Sequence, residues 1–308
     1  MTLQQMEYIL AVDKYRHFVK ASEYCKVTQS TLSMMIKKME EELDTIIFDR
    51  NSHPIKPTEA GEKIISQIKI ILYNTQQLKE ITKSERMQAF GDINIGVIPT
   101  VAPYIIPQFF VLMQKNSPNI HPHVFELQTS QIIEKLKLAE LDMAILATPL
   151  MIDELLEIPL YYEKFVFYVS PNEQIYNCKE INSKELPSKH LWMLKEGHCL
   201  RNQVLNLCEK VSDYDAIYEA GSIDTLVKIV DANGGYTVIP ELHVDLLQKN
   251  QQKNIRPLVN PAPVREISLV VRKDYVKERI LNEIASNIKQ IIPEQMIDSR
   301  LKKFTIKL

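Results

Sequence analysis

Cys199 and Cys208 stand near the two ends of the stretch GHCLRNQVLNLC, with His198 and Arg201 beside the first. Sulfur next to an imidazole and a guanidinium is a setting for thiol chemistry, because the thiolate is the reactive form and positive neighbours favour it. If Cys199 opens a helix that runs through Cys208, nine residues at about 1.5 Å each separate the two by ~13.5 Å along the axis. Nine steps of about 100° place the side chains on opposite faces. A disulfide needs Cα atoms within about 7 Å. Helix and bond therefore exclude one another here, and forming the bond must unwind or relocate the segment. The residues alone leave three readings open: two cysteines packed in a core, a metal site with His198 or His190, or a redox pair. The metal reading has the least support, since neither CxxC nor HxxxH spacing occurs. Of the other two cysteines in the chain, Cys178 lies in the polar connection NEQIYNCKE and reads as a bystander, and Cys25 reads as buried packing.

The elements that must position these residues fall into three stretches. Residues 1 to about 58 read as short helices. FVKASEYCKVTQSTLSMMIKKMEEEL reads as helix, tight turn, helix, with Thr28 able to cap the second. Leu32, Ile36, Met39 and Leu43 make its buried stripe, and Gln29, Ser30, Ser33, Lys37 and Lys38 its polar face. A helix-turn-helix presents such a face to the DNA major groove, where Gln and Ser can meet base edges and Lys meets phosphate. On spacing alone a plain amphipathic pair with a solvated face fits better, and Glu40, Glu41 and Glu42 after the two lysines favour it too. Arg50, His53 and Lys56 sit in the following Pro-containing loop, a wing that touches the DNA backbone or an exposed turn.

From Thr58 to about Met87 the pattern is one long helix. Ile64, Ile68, Ile71, Thr75, Leu78 and Thr82 form a heptad-like seam that predicts a partner chain. From Phe90 onward short apolar strands (DINIGVI, HPHVFEL, DMAILAT, KFVFYVS, YTVIPE, REISLVVRK) alternate with helical stretches. This predicts an α/β fold with largely parallel sheets and two small lobes around a cleft. The net charge of −2 gives no hint of a nucleic-acid partner, so any such case is local. The opening MTLQQMEYIL has no secretory leader pattern and no stretch is apolar enough to span a membrane, which predicts a cytoplasmic chain.

The stretch ASEYCKVTQSTLSMMIKKMEEELDTIIFDR, with KPTEAGE after it, resembles the winged helix-turn-helix of LysR-type transcriptional regulators. INIGVIPTVAPYIIP, AELDMAILA and NGGYTVIPE resemble that family's effector domain. GHCLRNQVLNLC, IPTVAPY, ELQTSQ and EAGSIDTL are similar to its hydrogen peroxide-sensing OxyR branch.

The resemblance implies a DNA-binding domain over 1–58, a dimerisation helix over 59–88 and an effector domain over 89–308. It implies one lobe of 89–162 and 268–308, another of 163–267, and chain crossovers near 162 and 267. It implies a homotetramer, a dimer of dimers, that activates oxidative-stress genes on double-stranded promoter DNA through RNA polymerase. Gln29, Ser30, Ser33, Lys37, Arg50 and His53 become DNA contacts. Hydrogen peroxide oxidises a Cys199 thiolate to sulfenic acid, and Cys208 traps it as a disulfide. Thr100 and Thr129 hold the peroxide, with His198 and Arg265 nearby. A thiol reductant such as glutaredoxin or thioredoxin resets the pair, with no cofactor, metal or membrane involved. The alternative within the family is a small-molecule inducer in the cleft between the lobes. A thiol peroxidase is the rival outside it, and the DNA-binding head speaks against an enzyme.

The chemistry adds expectations. A helix N-terminus at Cys199 favours the thiolate, and threonine hydroxyls can donate to the departing peroxide oxygen. Cys208 belongs on the apolar side of its helix near Val204, Leu205 and Leu207, which predicts a thiol buried until the segment moves.

Overall fold

The structure is a computed structural model and describes residues 1–84, 90–186, 190–207 and 220–298. The chain divides into two compact units, one of residues 1–87 together with Leu138–Glu140 and one of the remainder.

In the first unit, α1 (Leu3–Tyr15) opens on a capping box between Thr2 and Gln5. α2 (Phe18–Tyr24) and α3 (Gln29–Glu42) follow across a tight turn in which Lys26 takes φ +54°. Thr28 caps α3 as expected, its hydroxyl accepting from the Thr31 N–H at 3.2 Å. β1 (Phe48–Asp49) and β2 (Lys56–Pro57) pair antiparallel as a small wing. α4 (Glu59–Ser84) starts under a Thr58 cap and packs closely on the chain entering the wing. Gly61 permits this, because a Cβ there would lie 2.1 Å from the Ile47 carbonyl oxygen. Met6, Ile9, Leu32, Ile36, Met39 and Phe48 form the core with Ile65 and Ile68 of α4. The seam expected along α4 therefore divides. Ile68 is spent inside its own unit, whereas Ile71 and Leu78 are 40% and 66% exposed.

The second unit holds β3 (Gly91–Val97), α5 (Ala102–Asn116), β4 (Ile120–Glu126), α6 (Thr129–Lys137), β5 (Met143–Thr148), β6 (Leu155–Val169) and β7 (Ile181–Asn182). It continues with α7 (Cys199–Leu207), α8 (Ile223–Asn233), β8 (Tyr236–Pro240), β9 (Ile255–Val259), β10 (Val264–Arg272) and α9 (Glu278–Ile291). The sheet runs β4-β3-β5-β10-β6-β9-β7, with β8 also paired to β6. It is mixed, not largely parallel. β3 is parallel to β4 and β5, but β10 is antiparallel to β5 and β6, and β6 is antiparallel to β8 and β9. Strand-helix alternation predicts only the first, parallel part. β10 arrives from about 100 residues away and inserts between β5 and β6, which no local pattern reveals.

β6 is also longer than the KFVFYVS strand read from the sequence. Pro159 and the charged residues Glu157 and Glu163 interrupt the apolar pattern. The ladder with β10 shifts register between Ile267 and Ser268, opposite Tyr161 and Pro159, which accommodates a proline that cannot donate.

Two apolar cores flank this sheet. One gathers Ile95, Phe109, Ile145, Tyr161, Ile267 and Ile284. The other gathers Phe167, Tyr168, Val204, Leu226, Val238 and Leu258. β6 serves both, through Leu155, Leu160 and Tyr161 at one end and Phe165 to Val169 at the other.

Candidate functional site

Cys199 is the first residue of α7 and is 6% exposed. The turn before it depends on Gly197, whose φ is +94° and where a Cβ would stand 2.5 Å from the Gln128 side chain. Cys199 belongs to the first core, whereas Leu200 and Val204 of the same helix belong to the second. The helix thus plugs its first residue into one core and anchors its next turn in the other. Cys199 is a free thiol, as are Cys25, half-buried, and Cys178, exposed. Cys208, with its expected burial, lies outside the described residues.

Of the expected neighbours, Thr129 and Arg265 act on this thiol, and Thr100 is bonded to Arg265. Thr129 opens α6; its buried hydroxyl makes no hydrogen bond, and it is near enough to the Cys199 sulfur to lower that thiol's pKa. Arg265 of β10 is fully buried, and its Nε donates to Glu163 Oε2 of β6 at 2.8 Å. Its other nitrogens donate to Thr100 Oγ1 at 3.0 Å, to the Thr100 carbonyl at 2.9 Å and to the Tyr104 hydroxyl at 2.5 Å. The remaining Glu163 oxygen accepts from the Leu242 N–H at 3.2 Å. Removing two charges from water is costly, so a pair like this persists only when its hydrogen bonds are complete. Burial works against the Arg265 charge, but Glu163 outweighs it and holds the guanidinium protonated. Because Thr100 Oγ1 accepts from Arg265, its own proton is left to donate.

The electrostatics correct one expectation. Burial pushes the Cys199 thiol up from its ordinary pKa. The Arg265 charge, the Thr129 hydroxyl and the backbone N–H groups of Leu200 and Cys199 oppose that rise without cancelling it. The helix N-terminus does favour the anion, as reasoned, but the resting group is a thiol. His198 brings no charge either. It is buried with Nε2 unpartnered, and burial followed by the charge of Lys195 lowers its pKa, so the ring is neutral. Arg201 turns away to donate to the Leu194 carbonyl at 3.0 Å.

Sequence reasoning missed four participants. Tyr104 and Glu163 complete the Arg265 network. Gln203, one turn after Cys199, is fully buried with both amide atoms unpartnered. His243 is 1% exposed, with neither ring nitrogen hydrogen-bonded. Glu163 and Arg265 left a readable signal, since each sits in an otherwise apolar strand (YYEKFVF, VREISLVV) beside one further charge, Lys164 or Glu266, and a buried charge demands a partner.

In the first unit, Gln29, Ser30, Lys37 and His53 are exposed and Ser33 is half-buried. Lys37 pairs with Glu41 at 3.4 Å on that open surface. Arg50 is engaged internally. It bonds Glu40 Oε2 at 2.9 Å and Ser33 Oγ at 3.3 Å, and lies over the Phe18 ring. Glu40 also accepts from the Ile47 and Phe48 N–H groups, so it ties α3 to the wing.

A winged helix-turn-helix followed by a long helix and an α/β unit with two cores around a mixed sheet defines a transcription regulator, not an enzyme. Residues 3–62 match the bacterial regulatory helix-turn-helix proteins of the lysR family, and residues 87–286 match the LysR substrate binding domain. The chain belongs to the LysR family of transcriptional regulators. It is 33% identical over 301 residues to the hydrogen peroxide-inducible genes activator of Haemophilus influenzae, covering 95% of this chain and 99% of that one. It is also 33% identical to the DNA-binding transcriptional dual regulator OxyR of Escherichia coli, over 88% of this chain and 90% of that one. A full-length OxyR of Pseudomonas aeruginosa carrying a Cys-to-Asp substitution superposes with a TM-score of 0.79 at 29% identity, covering 94% of this chain and 98% of that one. No helix among the described residues is long and apolar enough to cross a membrane.

Proposed function

We propose that this regulator senses hydrogen peroxide at Cys199 and activates oxidative-stress genes in response. The observation that carries the reading is a buried thiol at a helix N-terminus, faced by an otherwise unpartnered hydroxyl and backed by a buried guanidinium. Loss of the thiol proton exposes the sulfur lone pair to the near peroxide oxygen. The S–O bond forms as the O–O bond breaks, sulfur loses two electrons, and the far oxygen leaves with a proton as water. The Thr100 proton and the neutral His198 ring are the donors suited to that oxygen. Thr129 favours the anion that attacks.

The sulfenic acid is then attacked by the Cys208 thiol, which expels water and leaves a disulfide. A helix running on from Cys199 (the start of α7) through Cys208 would set the two ~13.5 Å apart along its axis, beyond disulfide reach. Oxidation therefore unwinds α7 and draws Cys199 out of the first core. That shifts the population between two arrangements of a homotetramer on promoter DNA, where RNA polymerase is engaged. A dithiol reductant of the glutaredoxin or thioredoxin type restores the thiols. The domain boundaries belong to this reading: DNA binding over 1–58, dimerisation helix over 59–88, effector domain over 89–308, with lobes crossing near 162 and 267. So do DNA contacts from Gln29, Ser30, Ser33, Lys37 and His53, with Arg50 also holding the wing.

The test is a stoichiometric dose of peroxide followed by non-reducing electrophoresis and dimedone labelling. Wild type should gain one Cys199–Cys208 disulfide, Cys208→Ser should carry the label on Cys199, and Cys199→Ser should do neither. A wild-type protein with an unchanged thiol count overturns the proposal and leaves a regulator read by a small-molecule inducer.

A further inference from the structure

A recess of about 140 Å³ opens beside this site. Its inner wall is Thr100 and Tyr104, and both also hold Arg265. His243 lines it too, buried, its ring nitrogens making no hydrogen bond and Nε2 lying 3.6 Å from Asp224 Oδ1. Ser222 lies on its wall, and two carboxylates, Glu126 at the end of β4 and Asp224 in the first turn of α8, stand toward solvent. The volume suits a few small polar molecules at about 30 Å³ each.

The charges conflict in an informative way. α5 and α8 both begin at the recess, and each helix N-terminus contributes about half a positive charge. Arg265 behind Thr100 is neutralised by Glu163 and adds little. Burial lowers the pKa of His243 and keeps it neutral, more than Asp224, 3.6 Å away, raises it. Without its carboxylates this mouth would attract anions. Two full negative charges against two half-positive helix ends reverse the sign.

We propose that the recess is the path by which oxidant reaches Cys199, and that Glu126 and Asp224 make it selective for neutral peroxide over anionic oxidants. This rests on the peroxide reading of Cys199. A neutral molecule crosses the acidic mouth freely and finds hydrogen-bonding groups on Ser222, His243 and Thr100. An anion of similar size is repelled before it meets the sulfur. Chemistry at sulfur does not itself discriminate. With peroxymonosulfate, a monoanion, the thiolate takes the terminal oxygen, the O–O bond breaks and sulfate leaves.

The experiment compares rates of Cys199 sulfenic acid formation by hydrogen peroxide and by peroxymonosulfate, using dimedone and mass spectrometry of the Cys199 peptide in full-length protein. Exposed Cys178 in the same molecule is the internal reference for oxidant reactivity. Glu126→Gln and Asp224→Asn should each raise the peroxymonosulfate rate at Cys199 about five- to tenfold. The hydrogen peroxide rate should stay within about twofold, and Cys178 should be unaffected. In wild type, 0.5 M salt should shift the ratio the same way by screening the mouth. Because Asp224 also sits in a helix first turn, Glu126→Gln carries the result if Asp224→Asn unfolds. Ratios unchanged by both substitutions and by salt overturn the inference while leaving the sensor intact. A wild-type Cys199 inert to hydrogen peroxide overturns the sensor reading itself.

Discussion

Thr129→Val isolates one interaction at the reactive sulfur. The hydroxyl is buried, makes no hydrogen bond and lowers the Cys199 pKa, and valine replaces it with a methyl of nearly the same shape. A hydrogen bond to a charged group contributes about 1.5–3 kcal/mol, and one to a neutral thiol much less. The difference, about 1–2.5 kcal/mol, falls on the thiolate alone. At 1.36 kcal/mol per unit this raises the Cys199 pKa by about one to two units above its already elevated position. At neutral pH the thiolate fraction, and with it the rate of attack on peroxide, should drop about ten- to a hundredfold. Stability should change by less than about 1 kcal/mol, because no partner is stranded. The assay is the pH dependence of iodoacetamide alkylation at Cys199 in a background lacking Cys25, Cys178 and Cys208, with urea denaturation alongside. Thr129→Ser should keep most of the effect. An alkylation pKa that does not move in Thr129→Val would refute the assignment of this hydroxyl to the sulfur.

Glu163→Gln strands the buried Arg265 charge and should cost about 3–5 kcal/mol of stability by thermal or urea melts, while making the Cys199 thiolate easier to form. A full-stability variant would mean that water reaches the pair. Glu40→Ala should loosen the wing and weaken promoter binding with the salt dependence kept, whereas Lys37→Ala should lower the log–log salt slope by about one; fluorescence anisotropy across salt separates the two. His198 and His243 have folded pKa values below the ordinary histidine range, because burial disfavours their charged forms. Below pH ~6.5 the unfolded chain therefore takes up protons that the folded chain refuses, and stability falls as pH drops. His243→Asn should flatten part of that slope in urea titrations between pH 7.5 and 5, and an identical slope would count against a buried neutral ring.

The sequence already carried the helix-turn-helix, because Leu32, Ile36 and Met39 repeat at helical spacing and Thr28 supplies a cap. The resemblance pointed to Thr100, Thr129, His198 and Arg265, of which Thr129 and Arg265 act on the Cys199 sulfur and Thr100 bonds Arg265. The sequence could not carry the groups behind them. Glu163 meets Arg265, and His243 shares a recess with Thr100, only because β6, β10 and the turn after β8 come together across long stretches of chain; Tyr104 meets Thr100 locally but reaches Arg265 only through β10. The dehydration of Cys199 is illegible in the sequence for the same reason. Spacing shows a helix N-terminus and adjacent basic residues, but the dominant effect is dehydration, which depends on everything packed around the sulfur. The sheet's mixed direction escaped too, since insertion of β10 between β5 and β6 is a global event.

β6 runs unbroken through both cores, and β10 is laddered against it from Arg272–Leu155 to Val264–Lys164. Two hydrogen-bonded strands crossing together form a stiff spine, not a slack hinge. A jaw-like closure of one half on the other would have to shear that ladder. Under the proposed mechanism, bending the domain would then transmit little, and withdrawal of Cys199 would be read where it happens, on the surface that α7 and its neighbours offer.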